Sequence, residues 1–159
     1  MTRQVEIAEF EVAGIAVRTS NSREMSGNGL IGAHWERFFA ERVLEKIPNR
    51  TDSSMYAVYT DYENDHNGDY TLLLGARIKG PIQLPPGIMA KSVPAGHYAV
   101  VTSDPGPVVD SVVGAWKKIW NMSRAELGGN RAFQTDFELY DERASDPKHS
   151  VIDIYLGLK

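Results

Sequence analysis

At 159 residues, with 42% hydrophobic and 24% charged side chains, the chain is long enough for one ordinary domain with a buried core and is too apolar for a disordered one. The formal charge of -4 and the lack of any lysine and arginine run argue against direct nucleic-acid binding, and the count of 0 cysteines excludes disulfides, thiolate nucleophiles, iron–sulfur clusters and cysteine zinc sites. No segment approaches about 18 apolar residues and the start, MTRQVEIAEFEVAG, has no apolar h-region, so neither membrane insertion nor export is expected and a cytoplasmic protein is.

In chain order, the first alternating run of strand type spans Ile7 to Thr19. A helix follows over Leu30 to Ile47, where Ile31, Trp35, Phe38, Phe39, Val43 and Ile47 recur at three- and four-residue steps and gather into one stripe. Two strands are expected at Met55 to Tyr62 and Tyr70 to Lys79, joined at Asn67-Gly68, a dipeptide suited to a type I′ hairpin turn. The turn formers of KGPIQLPPG, residues 79–87, then link to a second series: a strand run at Ile88 to Thr102, a helix at Pro107 to Trp120, and strands at Phe133 to Asp141 and Ser150 to Leu158.

The second series repeats the first in residues as well as in pattern. AVRTSN at Ala16 to Asn21 returns as AVVTSD at Ala99 to Asp104, and GAHW ending at Trp35 returns as GAW ending at Trp116, an offset of about 80 residues. Half a domain with one helix on a small sheet leaves an apolar face bare, so two such halves should pack about a pseudo-twofold axis. The expected fold is therefore α+β: a duplicated β-α-β-β unit with antiparallel sheets and two main helices around a central cleft. It forms one domain over residues 1–159, with repeats at about 5–80 and 88–159. Clefts at such internal interfaces are common ligand sites.

Several familiar chemistries fail on spacing. Glu63, Asp65 and Asn67 alternate like calcium ligands, but Leu74 stands where an EF-hand loop needs its glutamate. His34, His66, His97 and His149 are too scattered for a metal, and no nucleophile elbow, Walker loop or dinucleotide fingerprint occurs. What remains is carboxylate on strands. In TDFELYD, Asp136, Glu138 and Tyr140 share one face of the strand, and in VIDIYLG Asp153 and Tyr155 do the same. If these strands form a hairpin through a short turn near Ser145 to Pro147, Glu138 and Asp153 meet in one patch with their tyrosines. No lysine or arginine within either strand is placed to pair with them, so a buried acid there would favour a ligand carrying its own positive charge. Trp35, Trp116, Trp120, Tyr56, Tyr59, Tyr98, Tyr140 and Tyr155 all fall on expected helices or strands, and five phenols needing partners sit poorly in a purely apolar core. Aromatic faces would add cation–π attraction.

The segments YAVYTDYENDHNGDYTLLLG, PPG, VPAGHYAVV, the GAW helix, DFELYD and IDIYLGL together resemble the integron-associated effector-binding proteins, within the gyrase-inhibitor-like effector-binding domains of AraC- and MerR-class regulators. The resemblance runs from about Val5 to Lys159 and implies a central pocket for lipophilic, often cationic, small molecules, with no cofactor. It makes Glu138 the pocket glutamate and Asp153 and Tyr155 the acid and tyrosine of the closing strand; Tyr140, Trp116, Trp120, Trp35, Tyr59 and Tyr56 are the candidate aromatic lining from their positions in the sequence. Asp153 replaces a more usual glutamate, and Gly157 a proline. Relatives usually carry a DNA-binding domain. Here the repeats fill the chain, so a stand-alone binding module is expected, one that sequesters its compound or works with a separately encoded DNA-binding regulator. The competing readings are a hydrolase of electrophilic compounds using the same pocket and a protein that docks on gyrase.

Overall fold

The computed structural model describes residues 2–80 and 83–159; residues 81 and 82 of the expected linker lie outside the described residues. Among the described residues eight strands form a single antiparallel sheet: β1 (Thr2–Ile7), β2 (Phe10–Ser20), β3 (Met55–Thr60), β4 (Asp69–Ile78), β5 (Met89–Val93), β6 (Gly96–Thr102), β7 (Arg131–Tyr140) and β8 (Asp153–Leu158). The helices are α1 (Asn21–Met25), α2 (Ile31–Ala40), α3 (Val43–Lys46), α4 (Val108–Trp120) and α5 (Arg124–Leu127).

The duplicated α+β architecture is present, with differences of detail that have local causes. The long first strand run divides into β1 and β2, and the run at 88–102 into β5 and β6, where Pro94, lacking an N–H, ends the ladder after Val93. The first long helix breaks at Arg42, whose left-handed backbone (φ 50°) turns the chain so that Val43 still reaches the core. Asn67-Gly68 does not make a tight hairpin. Residues 61–68 form a longer loop that opens at Asp61 with φ 52° and is pinned by the Asp65 carboxylate accepting the Asn67 N–H. Two short helices went unforeseen, although α5 carries a legible capping box in Ser123 and Glu126.

The strand order is β1-β6-β8-β7-β3-β4-β2-β5. Each half contributes three inner strands, but the leading strands are exchanged: β1, which precedes β2, pairs with β6, and β5, which precedes β6, pairs with β2. The halves meet where β3 lies beside β7. Their repeat alignment, YAVYTD against FELYDE, matches Ala57 to Glu138, and these two residues are also direct cross-strand partners. The pseudo-twofold axis therefore passes between Ala57 and Glu138.

The sheet is strongly curled. Phe10 on β2 and Phe137 on β7 are three strand spacings apart, roughly 14 Å on a flat sheet. Their rings nevertheless lie 5.5 Å apart, edge to face. The face without helices thus closes on its own core of Phe10, Val12, Tyr56, Val58, Leu73, Val93, Tyr98 and Phe137. Curling needs close backbone approach, which Gly14 and Gly75 supply as opposed partners: a Cβ on Gly75 would lie 1.8 Å from the Ala13 carbonyl oxygen. Gly75→Ala is expected to destabilise the fold by about 3 kcal/mol, read as a lower urea midpoint at constant m-value. A loss under about 0.5 kcal/mol would show that β2 and β4 part without cost. The opposite face carries α2 and α4, and a cleft opens between α4 and the segment from α1 to the start of α2.

Candidate functional site

The floor of the cleft is the helix side of the sheet, in which β7 is a central strand covered on both faces. Asp136, Glu138 and Tyr140 alternate onto the helix side and are buried, Asp136 at 0% and Glu138 at 1% exposure. Glu138 has uncharged partners at both oxygens. Its Oε2 accepts the Tyr59 hydroxyl at 2.8 Å and the Trp116 indole N–H at 2.7 Å, and its Oε1 accepts the Tyr140 hydroxyl at 2.7 Å. Among the described residues no lysine, arginine or histidine forms an ion pair with it.

The duplication explains this arrangement. Trp116 on α4 meets Tyr59 of the other half at 5.3 Å, and Trp35 on α2 meets Tyr140 of the other half at 5.2 Å. These pairs are pseudo-symmetric. The site becomes asymmetric at the axis, where one half supplies Ala57 and the other an acid. The small alanine leaves room for the carboxylate, and the central position removes it from water. Burial pushes the Glu138 carboxyl above its ordinary range, only partly countered by Trp116, Tyr140 and Tyr59. Burial first, and then the Glu138 charge, also raises the Tyr59 and Tyr140 phenols, so both stay protonated donors.

Above the floor lies a cavity of about 210 Å³ walled by Tyr59, Tyr62, Tyr70, Trp116 and Trp120, with Met25 and Val113 at its mouth. Trp120 is 47% exposed and Met25 77%, an apolar rim in contact with water. The α1 side of the mouth is held by polar contacts. Glu24 accepts the Leu30 and Ile31 backbone N–H groups and the Thr19 hydroxyl, capping α2 where Leu30 offers no side-chain cap.

The expected pairing of Glu138 with Asp153 does not occur. In the β7–β8 register Glu138 stands opposite Ile154 and Leu139 opposite Asp153, so the two acids point to opposite faces. Asp153 is instead held by Arg143 at 2.8 Å, Thr102 at 2.6 Å and Arg3 at 3.5 Å. Burial alone would raise its carboxyl, but these partners prevail and hold it below the ordinary value. Neither acid pairs with a lysine or arginine of these two strands, but Asp153 draws Arg143 from the connection between them and Arg3 from β1, whereas Glu138 has no ion-pair partner among the described residues. Tyr155 stacks on Phe137 at 4.4 Å, and Tyr56 joins the same helix-free core. Trp35 lies on the helix side but packs against Phe38, Phe39 and Tyr140, outside the cavity wall. Of the candidate residues, Tyr59, Trp116 and Trp120 wall the cavity, while Glu138 and Tyr140 lie behind that wall, Glu138 joined to it through the Tyr59 and Trp116 hydrogen bonds.

Tyr62, Tyr70, Asp136 and Arg131 belong to the same region and were not foreseen. Asp136 is balanced internally, by Arg131 at 2.6 Å, the Tyr62 hydroxyl and the Gly157 N–H at 2.9 Å. Tyr70 was legible: in DYTLLLG it shares a face with Leu72, and Leu72 pairs with Tyr59.

YobU of Bacillus subtilis, a protein named for a role in transcription regulation, is 34% identical over 148 residues, covering 92% of this chain and 91% of YobU. The integron cassette protein VCH_CASS2 of Vibrio cholerae superposes with a TM-score of 0.75 at 28% identity, over 99% of this chain and 95% of that one. SAV2435, whose structure holds tetraphenylphosphonium, superposes with a TM-score of 0.81 at 14% identity, over 100% of this chain and 94% of that one. The family model of the integron-associated effector binding proteins matches residues 3–158, and the chain belongs to that family.

Proposed function

We propose that the chain is a receptor for lipophilic cations, bound between the two repeats over Glu138, and that this binding is the input to transcription regulation through a separate DNA-binding partner. The observation that carries the reading is a carboxylate at 1% exposure with three neutral donors and, among the described residues, no ion-pair partner. Three hydrogen bonds lessen the cost of burying a charge without cancelling it. A permanently charged guest supplies what is missing, while the aromatic wall removes its apolar surface from water and adds cation–π attraction. The same geometry does not favour hydrolysis, because both carboxylate oxygens are already engaged and neither is presented to a water in the cavity.

Tetraphenylphosphonium, the compound in the SAV2435 structure, is the natural first probe. Titrating it should quench tryptophan emission, since Trp116 and Trp120 both wall the cavity, whereas the neutral triphenylphosphine oxide should bind at least about tenfold more weakly. Equal affinity for the two compounds would sink the reading. A fluorogenic ester that is turned over by the protein would replace it with the hydrolase.

A further inference from the structure

The cleft does not end at Trp120. Trp120, His66 and Arg131 also form the near wall of a second cavity of about 250 Å³, whose far wall includes Arg124, Asn130 and Phe133. Its charge differs from that of the first, whose lining sets Glu24 against Arg131. Among the described residues no aspartate or glutamate lines the second cavity, and two arginines do. Arg124 makes no ion pair among the described residues. Arg131 is engaged through one nitrogen only: Nη2 donates to Asp136, while the buried Nε has no partner among the described residues.

The chain is shaped to put that arginine there. Between Arg131, opposite Leu158, and Asp136, opposite Leu156, β7 carries a bulge. Phe133 lies within it at φ 52°, a conformation that L residues rarely adopt. The bulge brings the Phe133 ring beneath the guanidinium, 4.3 Å from its carbon, while Trp116 lies 5.9 Å away on the cleft side. Arg131 is thus fixed as a partition, facing the aromatic cleft on one side and the basic cavity on the other.

We infer that the second cavity is an oxyanion-accepting annex of the cleft, and that the effectors best suited to this chain are aromatic cations that also carry a carboxylate. This rests on the cation reading above and adds a second charge of opposite sign to the ligand. The cationic ring system lies over Glu138, the body passes Trp120, and the carboxylate accepts hydrogen bonds from Arg124 and from Nη1 of Arg131.

The test uses two rhodamine dyes with the same xanthylium cation, one with a free benzoate and the other its methyl ester, followed by fluorescence polarisation. Arg124 is exposed at the start of α5, so Arg124→Gln leaves the fold intact. Arg124→Gln should weaken the benzoate dye about fivefold and shift the ester less than about twofold. A benzoate affinity that stays within about twofold, or an equal loss for both dyes, overturns the annex. Glu138→Gln should weaken both dyes. An ester that binds wild type and is indifferent to Glu138→Gln overturns the cation reading instead, and a wild-type protein that binds neither dye overturns both.

Discussion

Glu138→Gln is expected to weaken tetraphenylphosphonium binding by about a hundredfold and to raise the melting temperature by about 3 °C. The first figure follows from Coulomb attraction to a carboxylate held out of water. A unit charge about 5 Å from the carboxylate gains roughly 3 kcal/mol at an effective dielectric of about 20. The second follows from the other side of the same balance, since the free protein holds a carboxylate out of water with only neutral donors. Glutamine keeps the shape, its carbonyl accepts from two of the donors, and its NH2 meets a hydroxyl able to turn and accept. Gain of stability with loss of binding marks a group kept for a guest.

The pH dependence has a definite sign. Burial raises the Glu138 carboxyl, so between the ordinary carboxylate range and its folded value the folded chain holds a proton that the unfolded chain has released. The stability associated with Glu138 is complete below the ordinary range and is lost as pH rises through the folded value. Cation affinity moves the other way. It climbs as Glu138 ionises, levels off above the folded value, and is accompanied by proton release in buffers below it. In Glu138→Gln both slopes should vanish. An unchanged affinity in the variant, or a wild-type affinity that falls with rising pH, contradicts the assignment.

Strand parity alone was enough to put Asp136, Glu138 and Tyr140 on one face, because alternation is a local property of β structure. Parity between strands is not local. It depends on register, and a shift of one residue reverses every side chain. A short turn near Ser145 to Pro147 would have set Asp153 beside Glu138, but the connection between β7 and β8 is longer and includes a 3₁₀ turn at Glu142–Ala144. That turn brings Arg143 back onto Asp153 and makes the second acid a structural one. The duplication was legible in AVRTSN and AVVTSD, whereas the exchange of β1 and β5 between halves was not, since each leading strand reads as a continuation of the strand that follows it. Arg131 was hidden for another reason. A bulge with an aromatic at positive φ has no composition signature, and the alternation visible from Phe133 onward gives no sign of where the residues before it lie.

Arg131→Met is expected to destabilise the fold by about 3 to 5 kcal/mol, with a matching drop in the urea midpoint. Asp136 is at 0% exposure, and without the arginine it keeps only the Tyr62 hydroxyl and the Gly157 N–H around a full negative charge. The companion Asp136→Asn strands the arginine beside Phe133 and Trp116, where cation–π contact at 4.3 Å and 5.9 Å offsets part of the loss, so its cost should be smaller. Combining the two should cost clearly less than the sum of the singles, because each already breaks the same buried pair. Strict additivity would mean that the pair carries no coupling and that Asp136 is balanced by something else. Asp136 and Glu138 share strand, face and depth, and they differ in one respect: the chain answers the first acid with its own arginine and leaves the second open. A large penalty at Arg131 together with a stability gain at Glu138→Gln would give these two acids opposite energetic signs, as expected if only Glu138 awaits a charge from outside.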